Sequence, residues 1–166
     1  TNVFGQVKMR TGQSGRINLQ GGFQDKDYGA YGFYSLNPLY VNEYEATKTF
    51  FGSASFSTTI KRLSVKTKVY WRKHHDRFEL FRDYREAYPG YTHNYHLTRV
   101  AGVSQTASLV SFLGKTTMGV DYRNEHIFSN ALGEVMADGV PVPFEPDSIF
   151  FTRDKRRQNV NGFVSH

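Results

Sequence analysis

The chain has no cysteine, which excludes a disulfide framework, a thiol nucleophile and a zinc–thiolate site and leaves the redox compartment open. It also has no apolar run near the ~18 residues that a membrane-crossing helix needs, so it is not a helical membrane protein. A membrane β-barrel escapes that exclusion, because its strands are apolar only at every second position. A strong block of one charge is missing too. The 21 Lys+Arg exceed the 15 Asp+Glu by a net +6, but they are spread along 166 residues, and the longest basic run is Lys155-Arg156-Arg157. A nucleic-acid reading therefore starts weak. The opening residues, Thr-Asn-Val-Phe-Gly-Gln, carry neither the basic nor the apolar region of a targeting signal. Neither a nucleophile elbow, a phosphate-binding loop nor a metalloprotease motif occurs, and Gly29-x-x-Gly32 lacks the strand-to-helix setting of a dinucleotide fingerprint. We therefore expect no enzyme activity and no cofactor.

What is abundant is aromatic: 14 Phe, 11 Tyr and one Trp, with 15 Gly. This is the composition of pleated sheet and hairpin turns, and it predicts an all-β protein. Alternation of period 2 then locates strands. Val3, Val7 and Met9 oppose Gln6, Lys8 and Arg10. After the turn Thr11–Gly15, Ile17, Leu19 and Phe23 oppose Arg16, Asn18 and Gln20. A long Gly- and Tyr-rich loop is expected from Lys26 to Asn42. A third strand starts near Tyr44 and reverses near Ile60-Lys61-Arg62. The cleanest segment follows, with Leu63, Val65, Thr67, Val69 and Trp71 against Ser64, Lys66, Lys68, Tyr70 and Arg72. A second long loop spans roughly Asp83 to Tyr91. The fifth strand, about Thr92 to Phe112, is ambiguous in facing, since Ala101, Val103, Ala107 and Leu109 compete with Val100, Thr106, Val110 and Phe112. A short turn at Leu113-Gly114-Lys115 leads to a sixth strand, a third long loop covers about Ile127 to Arg157, and a seventh strand begins at Asn159.

Short turns and long aromatic loops thus alternate strictly, the asymmetry of an up-and-down barrel in an outer membrane. From Leu63 to Trp71, eight steps of ~3.3 Å tilted by ~40° rise roughly 20 Å, comparable to a ~25 Å apolar band. Trp71 then falls at the position of an interfacial aromatic. The polar faces are crowded with Lys, Arg, Gln and Asp, which suits a water-filled lumen. A closed bacterial barrel needs an even strand number, so about six to seven strands read as an interior segment of an antiparallel up-and-down transmembrane β-barrel, residues 1–166 forming one unit.

Specific residues carry a family likeness. Asp27-Tyr28-Gly29-Ala30-Tyr31-Gly32-Phe33-Tyr34, the run from Tyr70 to Arg82, His93-Asn94-Tyr95-His96-Leu97-Thr98, Leu113 to Thr117 and Asp121-Tyr122-Arg123-Asn124-Glu125 resemble the barrel of TonB-dependent outer-membrane receptors. The likeness is greatest to the vitamin B12 (cobalamin) receptor type of Bacteroides-like bacteria, over roughly Phe23 to His166. It implies a 22-stranded barrel with an N-terminal plug, an outer-membrane location, and import of cobalamin or a related metal chelate such as a ferric siderophore. The energy would come from the TonB complex acting through a plug. Plug and TonB box are absent from this sequence, so a barrel segment alone is expected.

Candidate ligand-binding residues are Tyr28, Tyr31, Phe33, Tyr34, His93 and Tyr95, with Tyr40 in the same aromatic loop; packing between loops is the simpler role for these rings. Lys66, Lys68, Arg72, Asp121 and Arg123 are the expected lumen-facing residues, where they would contact ligand or plug, or simply be hydrated. His74 and His75, and likewise His93 and His96, fall on opposite faces of a strand, so no metal site is expected from either pair. Glu125-His126 is read the same way, and Lys155-Arg156-Arg157 as a solvated run at the end of the third loop with lipopolysaccharide as a conceivable contact. The partners expected are a small-molecule nutrient and outer-membrane lipid, and no nucleic acid. A soluble lipocalin-like barrel holding a hydrophobic ligand is the rival reading. A single-strand nucleic-acid binder is a third, and it requires aromatics on the lysine face, where only Tyr70 and Phe51 fit.

Overall fold

The computed structural model describes residues 1–32, 42–80, 82 and 93–166. Eight strands form: β1 (Asn2–Thr11), β2 (Gly15–Gly29), β3 (Tyr44–Ile60), β4 (Leu63–Glu79), β5 (Asn94–Ser111), β6 (Gly114–Ser129), β7 (Glu134–Pro141) and β8 (Phe150–Ser165). They make one antiparallel up-and-down sheet, ordered β1-β2-β3-β4-β5-β6-β8-β7 and not closed into a barrel. The turns after β1, β3 and β5 all lie at one end of the sheet. Each brings a residue to positive φ, Gly12 at 61°, Lys61 at 54° and, where the third turn enters β6, Gly114 at 126°, as tight hairpin loops require.

Two sequence expectations are corrected and one open alternative is decided. First, β2 continues past Lys26 to Gly29, so Tyr28 is a strand residue paired with Glu45 rather than part of a loop. The apolar alternation fades there because Asp25 and Asp27 occupy the face that Ile17, Leu19 and Phe23 hold earlier, while the backbone ladder continues. Second, the third connection is not irregular throughout. It carries β7, paired only with the start of β8 through a register shift between Val135 and Val140, and β8 starts at Phe150 rather than Asn159. The strand count is therefore eight instead of six to seven, and Lys155-Arg156-Arg157 lie within a strand. Third, the facing of β5 is settled: Leu63 pairs with Leu109, Val65 with Ala107, Val69 with Val103 and Trp71 with Ala101, so these four β5 residues share the Leu63 face. The second long loop, 83–91, lies outside the described residues.

Register converts this alternation into two distinct faces. One row, Val7–Leu19–Ala54–Val69–Val103–Tyr122–Val160, crosses all seven long strands without a charged or amide side chain. Its neighbour toward the long connections, Gly5–Gly21–Gly52–Trp71–Ala101–Asn124–Gln158, is the last apolar row on β4. In the following row Val3, Phe23 and Phe50 are still apolar, but Lys73, Arg99, His126 and Arg156 are not. The apolar band thus crosses the sheet obliquely. Its side chains lack a covering layer: Leu63 is 41% exposed, Val69 48% and Trp71 46%.

The buried core sits instead at the long-connection end. There Val142 and Phe151 pack with Tyr95 and Leu97, flanked by Phe128, Met136, Val140 and Ile149. The segment from Val142 to Phe151 is held by a hydrogen bond from Val142 N to Ile149 O at 2.9 Å, and it lies as a strap across the sheet.

Candidate functional site

On the face opposite the apolar band, Lys66, Lys68, Arg72, Asp121 and Arg123 share one side of the sheet, as their registers with Thr106, Ser104, Val100 and Gly102 on β5 require. Alternation puts each on the polar side of its strand, and register brings those sides together. Three aromatics on this face lie over glycines. Phe51 lies over Gly22, Tyr70 over Gly102 and Phe163 over Gly119, each directly across the ladder, and a Cβ on any of these glycines would overlap the ring. The rings cover bare backbone, so Tyr70 and Phe51 are already engaged rather than presented for base stacking.

Toward the long connections the same face is electrostatically balanced. Glu125 binds Arg157 Nε at 2.6 Å and Arg123 at 3.1 Å, and His74 Nδ1 pairs with Thr49 Oγ1 at 2.7 Å.

Beyond Trp71 the banded face turns charged, and the strap covers part of it. Glu145 binds Arg77 at 2.8 Å, Arg77 also binds Glu79 at 2.9 Å, and Lys48 binds Asp25 at 2.6 Å. Phe144 sets its ring edge-on to His75, with centroids 5.9 Å apart, and 5.7 Å from Lys48 Nζ. It does so at φ 69°, a left-handed conformation that costs a bulky residue about 1–3 kcal/mol and that the Arg77–Glu145 pair and the buried Val142 and Phe151 hold in place. A cavity of about 320 Å³ remains between strap and sheet, bordered by Asp25, Asp27, Lys48, His75 and Arg77. Tyr44 donates to Asp27 at 2.8 Å while the Arg82 guanidinium stacks on its ring at 3.6 Å; the hydrogen bond to Asp27 raises the Tyr44 pKa.

Burial sets the protonation of the neighbouring pair, which lies outside the apolar band. His75 is held down to about 4, chiefly by burial and further by the cations Arg77, Lys48 and Lys73 and by His74. Asp76, on the other face opposite Thr47 and His96, is pushed up to about 6 by burial, with Glu45 adding to it. The two act with opposite sign. A lowered histidine pKa stabilises the fold above its ordinary value of 6.5, and that stability is lost as pH falls toward 4. A raised carboxyl pKa stabilises it below 3.8, and that is lost as pH rises through 6. Between these limits the slopes offset each other. His74 and His96 are also held below the ordinary histidine value by burial, so the parent already loses stability on acidification, and the Asp76→Asn variant should lose it more steeply from pH 6.5 to 4. Urea unfolding midpoints across that range test this, and parallel curves for the two proteins would refute it.

The remaining candidates are dispersed. Tyr31 is exposed in the turn after β2, Tyr28 is exposed at the end of that strand, and Phe33, Tyr34 and Tyr40 lie outside the described residues. Tyr95, expected among the ligand-facing rings, lies in the buried core on β5, because the strap covers it. His93 lies just before β5, its ring edge-on to Tyr95 at 6.2 Å. His96 pairs with Ser129 at 2.9 Å, and His126 with Asp154 at 2.7 Å. Among the described residues no cluster of His, Asp and Glu has the arrangement of a metal site. Lys155 and Arg157 share a face and engage Glu134 at 3.6 Å and Glu125 respectively, with Arg156 on the other. Sequence reasoning missed Phe144 and Glu145, whose partners are nearly 70 residues away. It also missed that Lys8, Arg10 and Arg16 join Lys66 and Lys68, a fact that needs the strand register. Set against known proteins, the chain matches no family model, no curated protein and no solved structure.

Proposed function

We propose that the chain is a section of the wall of a TonB-dependent outer-membrane receptor, working in the import of cobalamin or a related metal chelate by passage rather than by catalysis. The observation that carries the membrane part is the exposed apolar row from Val7 to Val160, backed by a polar opposite face. A continuous apolar surface of this kind marks a membrane or protein contact, and its oblique border matches the tilt of barrel strands against a bilayer. The nutrient and the TonB partner rest on the residue likeness alone. A lipocalin-like barrel is less well supported, since Leu63, Val69 and Trp71 would have to line its dry interior and here stand about half exposed.

Trp71 is the chain's single tryptophan, so its fluorescence reports on one site at the border of the band. In vesicles of brominated phosphatidylcholine, bromines near the headgroup should quench it more strongly than bromines at the chain end. Absence of quenching at every depth would overturn the membrane assignment.

A further inference from the structure

Two adjacent rows on the polar face, close to the short turns, have an unusual charge pattern. The first reads Arg10–Arg16–Ser57–Lys66 and the second Lys8–Asn18–Ser55–Lys68, across β1 to β4. Every position is a cation, a hydroxyl or an amide. Arg10 and Arg16 face each other directly in the ladder, an arrangement that destabilises a sheet when nothing lies between the charges. Among the described residues none of the five cations is in an ion pair, whereas Lys48, Arg77, Arg123 and Arg157 all have carboxylate partners. The nearest carboxylate along the second row is Asp121, two strands beyond Lys68. The rows border a depression of about 500 Å³.

We propose that this grid is a binding site for a multivalent oxyanion, a molecule carrying two or more phosphate or carboxylate groups. The chemistry follows from the side chains. Two guanidinium groups in register form a planar, multi-donor clamp for one oxyanion group. Lys66 and Lys68, two strands from Arg16 at ~4.8 Å per strand, supply point charges for a second group about 10 Å away. Ser55, Ser57 and Asn18 fill the space between them with neutral hydrogen-bonding groups, which orient an anion without competing for its charge. One oxyanion group would leave half of the cations uncompensated, and this favours a multivalent ligand over simple phosphate. The site does not depend on the membrane reading, because these side chains share a face whatever covers the other one.

Isothermal titration of the full chain in nonionic micelles at pH 7 with inorganic triphosphate tests the assignment, with inorganic phosphate and micelles doped with cardiolipin, a lipid carrying two phosphates, as parallel arms. One triphosphate per chain should bind, at least tenfold more tightly than phosphate and more weakly as sodium chloride is raised. The Arg10→Gln/Arg16→Gln double variant should lose at least tenfold in affinity, Arg10→Lys/Arg16→Lys less, and Lys26→Gln, a cation on the same face far from the grid, nothing. Binding only in the cardiolipin arm, with the same loss in the double variant, supports the same chemistry with a lipid as its source. No binding in either arm, or equal affinity for the double variant and Lys26→Gln, overturns it. Neither result bears on Trp71 quenching, so this proposal and the membrane assignment fail separately.

Discussion

Replacing Val69 by arginine should destabilise the bilayer-inserted protein by about 2–4 kcal/mol, the cost of a cation near the midplane of a barrel's lipid face. Val69 lies at the centre of the row that crosses all seven long strands, flanked in register by Ala54 and Val103. The side chain cannot fold back to the polar face, because strand geometry sends successive residues to opposite sides. The comparison is Ser104→Arg, which puts the same cation on the other face between Lys68, which repels it, and Asp121, which attracts it, and should stay within about 0.5 kcal/mol of the parent. Urea titrations in vesicles read both. Equal losses in the two variants would mean that the apolar band does not face lipid.

Phe151→Ala should cost about 3–5 kcal/mol, because Phe151 is fully buried and packs where Tyr95, Leu97 and Val142 meet. The loss should be local. The strap is anchored by that cluster and by Arg77–Glu145, while β1 to β3 take no part in the cluster. Hydrogen exchange separates the two regions: amide protection of Val142 and Ile149 should fall by about 100-fold or more, at 1.4 kcal/mol per decade, with the ladder between β1 and β2 unchanged. Uniform loss of protection across the sheet would show that strap and sheet open as one unit.

The legible parts of this fold are those where a single physical constraint acts on every second residue. Between Leu63 and Trp71 one face is apolar and the other wet, so the period alone locates β4 and assigns Lys66 and Lys68 to one side. Past the border of the band that constraint ends. Asp25 and Asp27 continue β2 with charged residues on the formerly apolar face, and the pattern resembles a loop although the ladder persists. The start of β8 is hidden for a different reason, since its first residues pair with β7 and pack against the strap. Tyr95 and His75 read as surface residues because what covers them comes from Val142 to Phe151, far along the chain. The cation grid was only half legible: the wet faces of β1 and β4 were each identified, but their approach depends on register, which alternation alone does not supply.

The strap also has a mechanical consequence. Ladder hydrogen bonds tie each strand to its immediate neighbours and leave a sheet free to roll or flatten about its strand axes. From its root on β8 the strap passes β6 and β5 to grip β4 through Arg77 and to lie against Lys48 on β3, a chord joining strands that do not touch in the ladder. Curvature at the long-connection end is thereby braced, while the turn end, with its exposed hairpins, carries no such chord among the described residues. The wall is stiff at one rim and compliant at the other, so changes in its width are expected to concentrate at the rim where the basic rows lie.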